Sequence, residues 1–128
     1  MATVTRHNPA SVHAPSKGYS MGLELEGHQR LLFISGQVPA DSSGAVPEGF
    51  EAQCERAWQN VISVLAAAHL GVENLVKVTT FLTDRAQIAA NRAIRRHILA
   101  GSEPASTVMI AETLDPRWLL EIEAIAAA

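Results

Sequence analysis

The stretch that decides the fold is residues 50–82, which read FEAQCERAWQNVISVLAAAHLGVENLVKVTTFL. From Phe50 to Ala68, apolar residues recur every three or four positions, which is the spacing of one helix face. Gly71 ends that helix, and the β-branched and aromatic residues of 75–82 favour a strand. The stretch therefore predicts a helix followed by a strand, with the apolar helix face in a core and Cys54 as a small buried residue.

The flanking sequence extends this pair in both directions. Strands are predicted at 19–26 and 31–34 before the helix, and at 107–110 and 119–126 after it. A second helix is predicted over 84–98, after the central strand, with Thr83 or Asp84 as its cap. The order β-β-α-β-α-β-β predicts an α+β fold in which one mixed sheet carries both helices on one face. The other face of such a sheet needs cover, which predicts an oligomer.

Length and composition narrow the class of protein. The 128 residues fit one domain over 1–128, and the polar residues 1–18 predict an irregular N-terminal arm. A net charge of −3 argues against a nucleic-acid partner, and no apolar run approaches the ~18 residues of a membrane span. The first eleven residues lack the apolar segment of a signal peptide, and a single cysteine suits a reducing compartment. We therefore expect a cytoplasmic protein without a membrane partner.

Four segments resemble, in order and spacing, motifs of the YjgF/RidA family. They are FISGQVP at 33–39, VKVTTFLTD at 76–84, PASTV at 104–108 and EIEAIA at 121–126. The resemblance runs from about Tyr19 to Ala126. It implies a chorismate-mutase-like fold and a homotrimer with a small-molecule ligand in the clefts between subunits. It also implies hydrolysis of reactive enamines and imines to 2-keto acids and ammonia, although some members are named endoribonucleases.

The resemblance implies a set of site residues as well. Glu121 is similar to the glutamate that orients or activates the attacking water, so it is the expected catalytic residue. By pattern alone, Glu121 and Glu123 would be ordinary carboxylates on the exposed face of a strand. The expected substrate-binding residues are Tyr19, Ser35, Gly36, Asn91, Ser106 and Val108.

Ser106 stands where the deaminases of this family have an arginine. A guanidinium grips a carboxylate through two parallel charge-assisted hydrogen bonds, whereas a serine offers one hydroxyl and no charge. Either the ligand carries no carboxylate at that point, or another cation binds it. Arg117 is the nearest candidate in sequence, about 13 Å along an extended strand from Glu121. We favour the interpretation of Arg117 as part of a solvated hairpin tip.

The remaining polar residues indicate no second site. The five histidines lack the spacing of metal ligands, so no metal is expected. The reaction that the resemblance implies needs no cofactor. Arg92, Arg95 and Arg96 are interpreted as a solvated helix face, whereas a ribonuclease would need them as a phosphate track. The resemblance therefore implies hydrolytic deamination of an enamine or imine, or a related water addition, in inter-subunit clefts. The alternatives are a non-catalytic metabolite-binding trimer and, as a distant third, an endoribonuclease.

Overall fold

The computed structural model describes residues 2–15 and 18–128 and contains the predicted helices. The first helix, α1, is Phe50–Ala67, and the second, α2, is Ile88–Leu99. Short 3-10 turns at Val72–Asn74 and Arg85–Gln87 precede the fourth strand and α2. The strands are Thr3–His7 (β1), Gly22–Glu26 (β2), Leu31–Gln37 (β3), Leu75–Leu82 (β4), Ala105–Ile110 (β5) and Leu120–Ala127 (β6).

Four strands form a mixed sheet in the order β3-β6-β4-β5. β6 is antiparallel to both of its neighbours, whereas β4 and β5 are parallel. The helix α2 makes the crossover between these two parallel strands, as parallel pairing requires. The prediction of an α+β fold with a mixed sheet and two helices is therefore confirmed.

Both helices pack against one face of this sheet, which we call the covered face. Trp58, Val61 and Leu65 of α1 are fully buried there against Val78 of β4 and Ile122 of β6. Alternate residues of each strand supply this core because side chains along a strand point to opposite faces. Apolar burial of this kind is the main favourable term in folding.

The opposite side of the sheet, which we call the open face, carries no helix. Phe33 is 70% exposed, Met109 is 49% exposed and Leu31 is 48% exposed. Lys77, which pairs with Ile125 of β6, donates from its Nζ to Thr107 Oγ1 at 2.6 Å. Exposed large apolar side chains on one sheet face mark a surface suited to a further partner.

The beginning of α2 is fixed by polar contacts of the residues that precede it, including the 3-10 turn Arg85–Gln87. Asp84 accepts a hydrogen bond from the Ala86 amide at 2.8 Å, as a helix cap does. Gln87 Oε1 accepts from the amides of Thr83 and Asp84 at 3.1 and 3.2 Å. At its other end the chain turns through Ala100 in the left-handed conformation, with φ of 49°. These contacts fix the rotation of α2, and so decide which of its side chains face the sheet.

The N-terminal segment differs from the prediction in two ways. β1 lies inside the arm that was expected to be irregular, and it pairs with β2 in a separate two-stranded sheet. All five β1 residues are exposed, so no alternation of apolar residues revealed the strand. β2 was expected in the main sheet, but it pairs with β1 instead. The segment just before β2 meets the main sheet through an isolated bridge between Ser20 and Ala105 of β5. Within the described residues, no helix is long and apolar enough to cross a membrane.

Candidate functional site

A cavity of about 390 Å³ lies between α2, β5 and the segment that precedes β2. It brings together four of the seven predicted site residues: Asn91 of α2, Ser106 and Val108 of β5, and Tyr19 from the segment before β2. The lining residues are Tyr19, Ser20, Met21, Ile88, Asn91, Arg92, Arg95, Ser106 and Val108. We call this space the α2–β5 cavity.

The wall that carries Tyr19 is held by hydrogen bonds to the start of β5. The Ser20 amide donates to the Pro104 carbonyl at 3.1 Å, and Ser20 Oγ donates to the Glu103 carbonyl at 2.7 Å. Ser106 follows two residues after Pro104 and pairs with Val78, a core residue of the covered face. Tyr19 and Ser106 are therefore held on the same side of the sheet as α2.

Asn91 is buried to 2% exposure in the first half of α2. Its Oδ1 accepts a weak hydrogen bond from Cys54 Sγ of α1 at 3.9 Å. Burial raises the pKa of the Cys54 thiol to about 12, so the thiol stays protonated at neutral pH. Cys54 therefore acts as a small packing residue, as predicted, and not as a nucleophile.

Arg95 is a cavity residue that sequence reasoning missed. Its side chain is not on a solvated helix face, because Arg95 is only 4% exposed. Its Nε is buried without a hydrogen-bond partner, and so is Ser106 Oγ across the cavity. Burial, followed by the like charges of Arg92 and Arg96, lowers the pKa of the Arg95 guanidinium.

A sequence signal for this position did exist. Arg95 lies four residues after Asn91 and therefore on the same helix face. Ile88 and Leu99, at the two ends of α2, also lie along this face, and Leu99 is fully buried. The positive charge made Arg95 resemble its exposed neighbours, although its position belongs to the inward-facing stripe.

A second group of predicted residues lies on the open face. Ser35 and Gly36 occupy an irregularity of β3, where the register with β6 shifts between Ile34 and Gln37. A Cβ on Gly36 would overlap the Glu121 carboxylate, so only glycine lets that side chain rest against β3. Gly36 therefore makes room for the Glu121 side chain.

Glu121 borders a small depression of about 270 Å³ that Phe81 and Glu112 also line. Glu121 pairs with Phe81 of β4, whereas Ser106 pairs with Val78. Phe81 and Val78 are an odd number of residues apart, so they point to opposite faces of the sheet. One chain therefore does not bring Glu121 into the α2–β5 cavity.

Arg117 does not stand in for the missing arginine within one chain. Its Nη2 lies 2.8 Å from Asp115 Oδ2 and its Nε donates to Asp115 Oδ1 at 3.1 Å. The Arg117 side chain is 65% exposed. Arg117 is therefore solvated, as expected, but the hairpin expected around it is wrong, because β4 lies between β5 and β6 in the sheet. In residues 2–15 and 18–128, no three His, Cys, Asp or Glu side chains are grouped as metal ligands would be.

The chain is similar to known proteins along nearly its whole length. The sequence profile of the Endoribonuclease L-PSP family matches residues 10–128. Protein DfrA of Myxococcus xanthus is 31% identical, over 86% of this chain and 85% of that protein. The 2-iminobutanoate/2-iminopropanoate deaminase of Mus musculus is 31% identical, over 98% of this chain and 94% of the enzyme. The Rid family protein YyfB of Yersinia pestis superposes with a TM-score of 0.86 at 28% identity, covering 98% of each chain. The chain therefore belongs to the Endoribonuclease L-PSP family, which is the YjgF/RidA family that its four motifs resemble.

Proposed function

We propose that the protein hydrolyses a reactive enamine or imine in clefts between the subunits of a homotrimer. The observation that carries this proposal is the separation of two half-sites in one chain. The α2–β5 cavity holds polar groups suited to binding, and the open face holds Glu121 in a depression of its own. A second copy that brings its Glu121 to the mouth of the cavity would complete a site with binding groups and a carboxylate.

The open face gives a physical reason for association. Phe33 and Leu31 of the edge strand β3 and Met109 of the edge strand β5 are largely exposed. Burying such side chains against equivalent sheets contributes about 1.5–3 kcal/mol for each large apolar residue. Association through this face would also cover the edge strands, which otherwise invite uncontrolled pairing.

The chemistry needs one carboxylate and one water. An enamine substrate first gains a proton on its terminal carbon and loses one from its nitrogen, which makes it the imine. As the water oxygen bonds to the imine carbon, Glu121 would accept a proton from the water and pass a proton to the nitrogen. Collapse of the addition product then releases ammonia and leaves a carbonyl, so an imine and water become a ketone and ammonia. Tyr19, Asn91 and Ser106 would orient the substrate, together with the backbones at Gly36 and Val108. The reaction consumes only water, so no cofactor enters it.

The name of the mouse relative supports this reaction class, since that enzyme is called an iminobutanoate and iminopropanoate deaminase. A second candidate is a trimer that binds a small metabolite without chemistry. The serine at position 106 favours it, because this side chain cannot grip a carboxylate as an arginine does. The ribonuclease alternative fits less well, because a cavity of about 390 Å³ suits a small molecule.

Ammonia release from freshly generated 2-aminoacrylate tests the proposal. We expect turnover by the native protein. In Glu121→Gln, kcat should fall by at least about a hundredfold, since general acid–base catalysis typically contributes that much. Glu123→Gln is the matched control, because Glu123 is an exposed carboxylate two residues along the same strand. Ammonia release by the native protein no faster than in buffer alone would favour the binding alternative. Sedimentation that shows a monomer at micromolar concentration would contradict the inter-subunit cleft.

A further inference from the structure

We propose that Arg95 is the anion-binding residue of the α2–β5 cavity, and that the cavity takes a small carboxylate held by this guanidinium. The helix α2 would thereby supply the charge that β5 lacks at Ser106. The inference rests on the proposed function, because it assigns a substrate class and a specificity residue to that same site. It assigns the cation that binds the ligand's carboxylate to α2 instead of β5.

The first argument is the burial of an incompletely satisfied cation. Arg95 is 4% exposed, lines the cavity, and keeps a buried Nε without a hydrogen-bond partner. Ser106 Oγ, in the same lining, is also buried without a partner. Buried polar groups are nearly always hydrogen-bonded, because leaving them unpaired is unfavourable. A carboxylate between these two side chains would accept a hydrogen bond from each of them.

The second argument is the sign of the charge around the cavity. Arg92 lines the cavity beside Arg95, and none of the nine lining residues is acidic. Among the described residues, no carboxylate forms an ion pair with Arg92 or Arg95. Glu103, near the same end of β5, is shared between Arg6 at 3.9 Å and the Gly18 amide at 3.4 Å. An anion in this small space would reduce the electrostatic repulsion between the two guanidinium groups.

The pKa of Arg95 agrees with this interpretation. Burial, followed by the positive charges of Arg92 and Arg96, lowers the pKa of Arg95 against a smaller opposing effect of Tyr19, as expected for a buried cation beside like charges. A guanidinium nevertheless remains charged at neutral pH, so Arg95 presents a positive charge to the cavity. A bound carboxylate would supply the missing opposite charge.

The third argument is the size and polarity of the space. At about 390 Å³ the cavity fits a small metabolite. Met21, Ile88 and Val108 form an apolar part that suits a short aliphatic chain. Tyr19 and Asn91 provide hydroxyl and amide groups for a polar substituent. A short-chain acid with a polar group beside its carboxylate meets all of these requirements.

Binding of 2-oxobutanoate, measured by isothermal titration calorimetry, tests the assignment. This 2-keto acid is stable and is the product expected from the corresponding imine. We expect the native protein to bind it and to bind the neutral 2-oxobutanamide far more weakly. Arg95→Gln should weaken 2-oxobutanoate binding about tenfold to a hundredfold, because a hydrogen bond to a charged group usually contributes that much to affinity. Arg117→Gln is the matched control and should leave binding unchanged, because the exposed Arg117 pairs with Asp115 in the connection between β5 and β6.

Two further variants distinguish a loss of the binding contact from a loss of the fold. Arg95→Lys keeps the buried charge but loses the planar fork, so we expect intermediate binding. The double variant Arg95→Gln with Ser106→Arg returns a guanidinium to the cavity from β5 and should recover binding of 2-oxobutanoate. Circular dichroism identifies any variant that has lost its fold.

The outcomes separate this inference from the proposed function. Equal binding by the native protein and a folded Arg95→Gln, or native binding that does not prefer the acid over the amide, would overturn the assignment of Arg95. Absence of any 2-oxobutanoate binding by the native protein would overturn it too. Arg95-dependent binding without ammonia release from 2-aminoacrylate would instead leave the carboxylate site standing and contradict the deaminase.

Discussion

The covered and open faces of the four-stranded sheet are built from the same strands but differ in almost every physical property. On the covered face, Val78 and Ile122 are fully buried beneath α1. On the open face, Phe33 is 70% exposed, and Glu121 lies in a shallow depression. The cationic cavity borders the covered face, whereas the proposed catalytic carboxylate is on the open one. The contrast indicates that stability comes mainly from the covered face, whereas the open face carries the proposed trimer contacts and the proposed catalytic carboxylate.

Truncating a core residue of the covered face should have the largest effect on stability. Leu65→Ala leaves a cavity at a fully buried position of α1 and should lower the free energy of unfolding by about 2–5 kcal/mol. Urea denaturation followed by circular dichroism measures this change. Leu114→Ala is the control, because Leu114 is 96% exposed, and its effect should stay within about 0.5 kcal/mol. Similar losses in the two variants would remove the basis for calling the covered face the source of stability.

A polar substitution on the open face should act on assembly instead. Phe33→Ser removes the most exposed of the apolar side chains on β3 and should weaken association by about 1.5–3 kcal/mol per chain. Sedimentation velocity at micromolar concentration should show a shift from trimer towards monomer, with the helical circular dichroism signal kept. Val12→Ser is the control, since Val12 is 46% exposed but lies outside the sheet. An unchanged trimer in Phe33→Ser would place the interface elsewhere.

The smallest change in stability, with a clear change in function, is expected at the irregularity of β3. The methyl group of Gly36→Ala would displace the Glu121 carboxylate, whose flexible end can move aside. We expect a change in unfolding free energy within about 1 kcal/mol and a loss of ammonia release of about tenfold to a hundredfold, because catalysis is sensitive to small displacements. Gly22→Ala, where an added Cβ meets only ordinary contacts, should behave like the native protein in the same assay. Full activity in Gly36→Ala would argue against a role for Glu121.

Most of the secondary structure could be predicted because it depends on local periodicity. The apolar spacing of α1 and the β-branched run of β4 are visible in any short window of the sequence. β1 was missed because its five residues are all exposed, and pairing with β2, not burial, holds it. The position of β2 in a separate sheet was missed for another reason, because the pairing partners of a strand are set by contacts distant in sequence.

The candidate site was predicted residue by residue but not in its arrangement. Motifs identified Ser35, Gly36 and Glu121, yet only the register of β4 with its neighbours shows that Glu121 and Ser106 lie on opposite faces. Arg95 was assigned to solvent because charged side chains are seldom buried without a partner. Its burial depends on how α2 is rotated by its capping contacts, which a count of charges does not reveal.

The position of β6 between β3 and β4 has a consequence for the order of folding. β6 is synthesised after the other five strands. A nascent chain therefore contains β3, β4 and β5 before it contains the strand that joins β3 to β4. Until β6 leaves the ribosome, β3 and β4 have unpaired edges, and α1 has only part of the surface on which it packs. Contacts so distant in sequence also slow folding after release, which lengthens the time that those edges are exposed to other chains.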